Sequence, residues 1–481
     1  MKVALVNIPD NGISGKGYST PLGLAYIGAV VRRLGHEVKG FDLSSRKDSV
    51  NRYYLKIDNQ FLNFLNEFNP DFVGMTCTTT NRINLNFWAR VFKEALPNVK
   101  IMVGGPHPYF IPESYLRTNP EVDILVMGEG ELTIVDYLKA VEEGRDIGTV
   151  KGVAFRDERG SVIINPLREA IKNLDEIPFP ARDLFDMEGY DIKFGTIVGK
   201  TATIIATRGC GNNCKFCSTT RYWQKVRFRS AKNIVDEIED ILGEFPFIKN
   251  VVFFDDTFTL RKEHVVSVCR EMIARKIVVN WACLSRTDVV DEELLTILKE
   301  SGCTTLSFGI ESGNDLMLKT MRKNSTVDNN YKALTLPLKH GITARGLMIA
   351  GMPEEKFGWA VDSLLFMADP RFRYQDLQIS LQTFIFPGTW WERWFREKYT
   401  DFSWENMPER FKKGSFTDSF GNIVLPCYRW KGIHFFLLYT LRKLIKFRII
   451  RSIVSYPLIQ NMVRYIAYLV PKHYPKSLYD D

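Results

Sequence analysis

Long uncharged apolar runs are missing from this sequence. None reaches the roughly 20 residues needed to span a bilayer. Even the Phe-, Leu- and Ile-rich stretch 434–454 is studded with Arg442, Lys443, Lys446, Arg448 and Arg451. Histidine is scarce, six in 481 residues, with no H-x3-H pair and no second C-x2-C pair beside Cys214 and Cys217. Structural zinc sites take four ligands, usually as two such pairs, so that metal is disfavoured. The eight cysteines form no paired framework, and Met1–Val6 runs straight into a strand pattern with no room for a charged leader and cleavage site. A reducing cytoplasm is therefore the expected setting. Acidic residues are absent from 428–476, which holds ten Lys and Arg; without those ten, the net charge of +8 becomes about −2. The basicity is local, so no nucleic-acid partner is expected.

What the sequence does contain is concentrated in Thr207-Arg208-Gly209-Cys210-Gly211-Asn212-Asn213-Cys214-Lys215-Phe216-Cys217. The spacing C-x3-C-x2-C, with Gly and two Asn between the cysteines, describes a tight loop able to point three sulfurs at one centre. The apolar run just before it reads as a buried strand, which places the loop at a strand's C-terminal end. A [4Fe–4S] cluster normally takes four cysteine thiolates; three leave one iron open to a ligand that reacts. Three unrelated core cysteines are the plain alternative, but Gly/Asn loops do not bury Cys for packing.

The spacing resembles the signature of the radical SAM superfamily. That resemblance implies that Cys210, Cys214 and Cys217 hold a [4Fe–4S] cluster whose open iron chelates S-adenosylmethionine. An electron from a flavodoxin- or ferredoxin-like donor would then cleave it to a 5′-deoxyadenosyl radical. Phe216 matches the aromatic that such enzymes place beside the adenine.

From residue 1 to about 150, strand and helix patterns alternate, as in a parallel, doubly wound sheet. Ligands of such sheets bind beyond the strands' C-terminal ends, which here carry Asp10, Thr76-Cys77-Thr78 and Gly104-Gly105-Pro106-His107. The phrases Pro21-Leu22-Gly23-Leu24-Ala25-Tyr26-Ile27, Thr76-Cys77-Thr78 and Val103–His107 resemble the cobalamin-binding domain fused to one large class of radical SAM enzymes. The resemblance implies cobalamin contacts from Asp10, Thr76, Thr78, Gly104, Gly105 and His107. One departure stands out: in Asp10-Asn11-Gly12-Ile13-Ser14-Gly15, Gly12 replaces the histidine of the D-x-H-x-x-G pattern. Cobalt is thus expected without a histidine from this loop, and His107 reads as a loop cap or, less simply, a ligand.

A hairpin over 152–165 and a Pro-rich linker to 195 lead to the cysteine loop. Six strand–helix units over 196–390 follow, the partial (β/α)6 barrel that the resemblance implies. Reactive groups in α/β barrels sit at strand C-termini, and Asp255, Asp256, Arg286, Glu311, Ser312 and Gly351 all fall there. The resemblance assigns Asp255 and Asp256 to the SAM ammonium and Glu311 with Ser312 to its amine or ribose. Gly351 would let the backbone approach the adenine. A guanidinium matches a carboxylate bidentately, so Arg286 could pair with the methionine end; for either Asp, helix capping is the ordinary alternative. Cys269, Cys283 and Cys303 read as core, and Cys427 has no evident partner.

The extension 391–481 reads as mainly helical. Its aromatics, Trp390, Trp391, Trp394 and Trp404, suit either a substrate wall or cement onto the barrel. Its basic part, 431–470, could lie in a membrane interface or be a solvated helix face. The expected function is cobalamin-dependent radical chemistry on a small molecule. Foremost is C-methylation of an unactivated carbon of a lipid- or isoprenoid-like substrate, with ring formation or oxidation as the alternative. A non-catalytic corrinoid or cluster sensor is the other class, and a sensor has no need of SAM contacts.

Overall fold

In the computed structural model the described residues are 1–10, 19–43, 59–372, 375–381, 383–404, 424–425, 440 and 459–463. Cys427, most of the basic stretch and the residues from Asn11 to Gly15 lie outside them.

The N-terminal strands, apart from the half-buried edge strand over Glu37–Asp42, are apolar on both faces, as parallel strands covered by helices must be. Val3 to Val6, for example, are all buried. They are β1 (Lys2–Asn7), β2 (Glu37–Asp42), β3 (Phe72–Thr76), β4 (Lys100–Gly104) and β5 (Ile124–Val126). The sheet order is β2-β1-β3-β4-β5, all parallel. The order reverses between β1 and β3, and the crevice at such a switch point is where doubly wound sheets bind ligands. The hairpin expected over 152–165 does not stand apart. Its strands β6 (Val153–Arg156) and β7 (Val162–Ile164) add antiparallel to β5 and complete this sheet.

A second seven-stranded sheet follows. After β8 (Asp191–Phe194) and β9 (Ile197–Ile204) comes a two-stranded ribbon, β10 (Thr207–Arg208) with β11 (Arg227–Phe228). Then come β12 (Asn250–Phe253), β13 (Asn280–Ser285), β14 (Cys303–Glu311), β15 (Thr343–Ile349) and β16 (Asp376–Ser380). The order is β16-β15-β14-β13-β12-β9-β8, six strands parallel and β8 antiparallel at the edge, a curled half-barrel. Several of its helices start where a side chain caps them. Ser230 accepts from the Asn233 amide, Asp291 from Leu294 and Thr326 from Asn329. No helix among the described residues is long and apolar enough to cross a membrane.

The linker fastens the two sheets. Phe185, Met187 and Tyr190 enter one continuous core with residues of both, and the Tyr190 hydroxyl donates to Asp42 at 2.6 Å. Arg182, buried, donates to Glu237 at 2.5 Å and to the Thr203 carbonyl at 2.7 Å, while Arg229 donates to the other Glu237 oxygen. Burial pushes the Glu237 carboxyl up, but the two guanidinium charges outweigh it and hold it below its ordinary range. A depressed carboxylate stabilises the fold above its unfolded pKa and loses that contribution as pH falls through the folded one. Glu237→Gln removes the carboxylate that both buried cations share. We expect a loss of about 3–5 kcal/mol in denaturant melts at pH 7, narrowing as the wild type is acidified below about pH 4.

Candidate active site

The cysteine loop is held from three sides. At its entry, buried Asp255 accepts from the Ala206 amide at 3.0 Å, from the Thr207 amide, and from the Thr207 hydroxyl at 2.6 Å. Burial outweighs these donors and pushes its carboxyl up to about 7. Gly209 has φ +98°, and a Cβ there would sit 2.7 Å from the Lys225 carbonyl, so only glycine makes the turn. At the exit, Thr220 donates its hydroxyl to the carbonyls of Cys210 (2.8 Å) and Asn212. The crown is tied by the Lys215 amide to Met321 and by the Trp390 amide to Lys215.

The loop presents Cys210, Cys214 and Cys217 to one cavity of about 1140 Å³ at the C-terminal mouth of the half-barrel. Asn212 Nδ2 donates to Cys210 Sγ at 3.3 Å and the Thr219 amide to Cys217 Sγ at 3.5 Å. Burial pushes Cys214 up to about 11 and raises Cys217, so these thiols give up their protons when a metal arrives. Three thiols aimed into one cavity, two of them receiving N–H donors, fit a cluster with three protein ligands.

Of the residues expected at the SAM site, Phe216, Asp256, Arg286 and Glu311 line this same cavity; Asp255, Ser312 and Gly351 stand behind its lining. Ser312 is bonded to Ser363 at 3.0 Å, and Gly351, at φ +92°, donates its amide to Glu355 at 2.7 Å. Arg286 commits its fork to Asp288 at 2.9 and 2.7 Å and to the Lys323 and Asn324 carbonyls. Lys323 escaped the sequence reading. Its ammonium lines the cavity and pairs with Glu311 at 2.9 Å, both buried. Glu311, Arg322 and Asn324 all have positive φ, strain of a kind that clusters at functional sites. The Trp residues of the extension act as cement: Trp391 packs on Phe216, and Trp404 sits 5.3 Å from the His107 ring.

A second cavity of about 450 Å³ opens at the switch point of the N-terminal sheet. Thr76, Gly104 and Gly105 line it; Gly105 has φ +103°, and a Cβ would meet the Cys77 carbonyl at 2.6 Å. Asp10 accepts from Thr78 and Thr80, outside the lining, and His107 is bonded to Thr79 at 3.0 Å. Burial, aided by the Arg82 charge, holds His107 well below its ordinary pKa. Among the described residues no histidine lines this cavity. Its far wall comes from the barrel. Arg208 donates to Glu129 at 2.7 Å and to Glu131 at 2.5 Å, and lies over the rings of Tyr26 and Trp223. Thr219 and Asp256, joined by a 3.1 Å hydrogen bond, line both cavities.

The comparisons agree with this geometry. The family model for the radical SAM superfamily matches residues 204–367, and that for the B12 binding domain matches residues 10–138. An uncharacterized methyltransferase, PH0819, of Pyrococcus horikoshii is 33% identical over 362 residues, 74% of this chain and 75% of that one. This chain belongs to the cobalamin-binding branch of the radical SAM superfamily. The cytidylyl-2-hydroxyethylphosphonate methyltransferase of Streptomyces wedmorensis is 30% identical, covering 69% of each chain. The anaerobic magnesium-protoporphyrin IX monomethyl ester cyclase of Rubrivivax gelatinosus is 31% identical over 60% of this chain and 52% of that one. In fold, the chain is similar to the radical SAM methyltransferase TsrM of Kitasatospora setae with cobalamin and [4Fe–4S] cluster bound. That likeness has a TM-score of 0.68 at 18% identity, covering 92% and 88% of the two chains. It is equally similar to OxsB with aqua-cobalamin and S-adenosylmethionine bound, at TM-score 0.68 and 18% identity over 97% and 71%. Membership of that branch, with both family models matched, makes a [4Fe–4S] cluster, S-adenosylmethionine and cobalamin its cofactors.

The two neighbouring aspartates should separate cleanly on mutation. Asp255→Ala leaves buried amides unpaired, and we expect about 1–3 kcal/mol of lost stability in a thermal melt. Asp256→Ala should keep the melting temperature within a degree or two yet weaken S-adenosylmethionine binding at least tenfold in equilibrium dialysis.

Proposed function

We propose that this enzyme methylates an unactivated carbon of a small molecule with an apolar body and a hydrogen-bonding end. The observation that carries the reading is the shared wall. The cavity that receives the three thiols and the cavity at the switch point meet at Thr219 and Asp256, so a substrate there lies between the radical source and the methyl donor. When bound, the cofactors supply the radical and the methyl group; the chain binds, orients and excludes water. Asp256, Glu311 and Lys323 offer complementary charges for the zwitterionic methionine end, and Phe216 a flat apolar face for the adenine. Apolar Leu284, Leu347 and Ile349 line the barrel side of the larger cavity. In the same rows of the sheet lie Ser307, paired with Leu284, whose buried hydroxyl has no hydrogen-bond partner, and Gln378, paired with Leu347. The assigned cobalamin contacts are Thr76, Gly104 and Gly105, with no histidine supplied to cobalt.

The test is product stoichiometry. Anaerobically reconstituted protein, given cobalamin, S-adenosylmethionine, reductant and cell extract, should form 5′-deoxyadenosine and S-adenosylhomocysteine in equal, extract-dependent amounts by mass spectrometry. Deoxyadenosine without the homocysteine product would favour the ring-forming reading, which the likeness to the tetrapyrrole cyclase keeps open.

The reading extends to a cytoplasmic enzyme served by a flavodoxin- or ferredoxin-like donor, with 431–470 resting on the inner face of the membrane. Each cation near anionic lipid contributes about 1 kcal/mol. Replacing Arg442, Lys443, Lys446, Arg448 and Arg451 by Glu should abolish co-sedimentation with phosphatidylserine vesicles. Equal sedimentation by wild type and variant would sink the membrane part alone.

A further inference from the structure

The cavity at the switch point is walled on its barrel side by the two segments that flank the cluster loop. Arg208 lies two residues before Cys210; Ser218 and Thr219 follow Cys217 directly, and all three line the cavity. Arg208 is fixed at both ends, its guanidinium by Glu129, Glu131 and two aromatic faces and its backbone by the β10–β11 ribbon. Gly209, where a Cβ would meet the Lys225 carbonyl at 2.7 Å, is the one residue between Arg208 and Cys210 and leaves little slack between them. On the other flank, the Thr219 amide donates to Cys217 Sγ while its hydroxyl donates to Asp256. A molecule filling this cavity therefore touches both ends of the loop and removes water from beside an N–H···S bond.

Resting on the reading of this cavity as the corrinoid site, we infer that its occupancy sets the reducing power of the cluster, with Arg208 as the positioning residue that links the two. Reduction potentials of iron–sulfur clusters follow hydrogen bonding to the sulfurs and solvent exposure. With three thiolates the reduced cluster carries one more negative charge than the oxidised one. Excluding water disfavours the more highly charged form, so filling the cavity lowers the potential. The cluster then becomes strongly reducing only with the methyl carrier in place, which limits cleavage of S-adenosylmethionine when that carrier is missing. By linkage the corrinoid must bind more tightly to the oxidised-cluster form by the same factor.

The measurement is a mediated redox titration of the full chain with its reconstituted cluster, in the absence of S-adenosylmethionine. The reduced cluster is followed by its electron paramagnetic resonance, with and without a cobalt-free corrin analogue of cobalamin that cannot itself be reduced at the metal. We expect a downward shift matching a tenfold affinity difference, about 59 mV for one electron. Arg208→Lys keeps the charge but loses the planar fork; it should bind the analogue within a few-fold of wild type and show less than half the shift. If that variant assembles no cluster, Glu131→Gln takes its place with the same expectation. An unmoved or raised potential in the wild type with the analogue bound would overturn the coupling, and a full shift in the variant would overturn the role of Arg208. Failure of the analogue to bind at all, seen in its own absorbance titration, would overturn the corrinoid reading beneath both.

Discussion

The ionic clasp centred on Arg208 joins the two halves of the molecule at the place where the chemistry needs them joined. Arg208 and Arg227 both reach Glu129, Arg208 alone reaches Glu131, and all four side chains are at most 9% exposed. The Ile171 amide of the linker also ends on Glu129. Burying four charges costs several kcal/mol each, repaid only by good geometry and further hydrogen bonds. Two carboxylates against two guanidinium groups, with two aromatic faces over one of them, meet that condition. Such a cluster contributes less to stability than to specificity: an apolar patch would let the sheets slide, whereas these pairs fix their register.

From that register the site follows. Both sheets turn the C-terminal ends of their strands toward the same space, so the Gly104-Gly105 turn and the Cys210–Cys217 loop face one another across Thr219 and Asp256. Two positions that cannot carry a side chain lie at this seam. Gly105 lies against Cys77 and Gly209 against Lys225, and a larger residue at either would push a strand end out of the shared space. Strain gathers nearby as well, with left-handed backbone at Glu311, Arg322 and Asn324, and the result is a buried ammonium and carboxylate held beside the thiols.

Much of this was legible in the sequence because it is periodic or local. Strand–helix alternation gave both sheets, and C-x3-C-x2-C gave the cluster loop, since tight loops are written in adjacent residues. What was hidden depended on register or on distance along the chain. Asp255 and Asp256 are adjacent just past the end of β12, yet one is buried and the other exposed. One braces the loop's entry and the other enters the cavity. Nothing in the sequence told them apart, since the two residues before them, buried Phe253 and exposed Phe254, are identical in kind. Lys323 was invisible because the loop presenting it has no repeating pattern. The partners of Arg208 lie 77 and 79 residues away, and the Gly128-Glu129-Gly130-Glu131 phrase showed acids at a strand end without saying what they held. His107 and Ser312 sit where their strands end, but their side chains turn to Thr79 and Ser363 rather than to a cavity.

The position of Asp256 also bears on the choice between methyl transfer and ring closure. In ring closure the acceptor carbon belongs to the substrate itself, whereas methyl transfer brings in a carbon from outside it. Here the chain maintains a second cavity behind a wall only one hydrogen-bonded pair thick. It keeps that wall polar, with desolvation raising the Asp256 carboxyl above its ordinary range while Thr219 donates to it. Asp256 stays exposed to the open space beside both cavities, so its carboxylate can meet a ligand from either side. A fold that used cobalamin only as a structural plug would be better served by apolar side chains there. A polar wall shared by both cavities is what a reaction requires when a group must pass from one side to the other and water must be kept from following it.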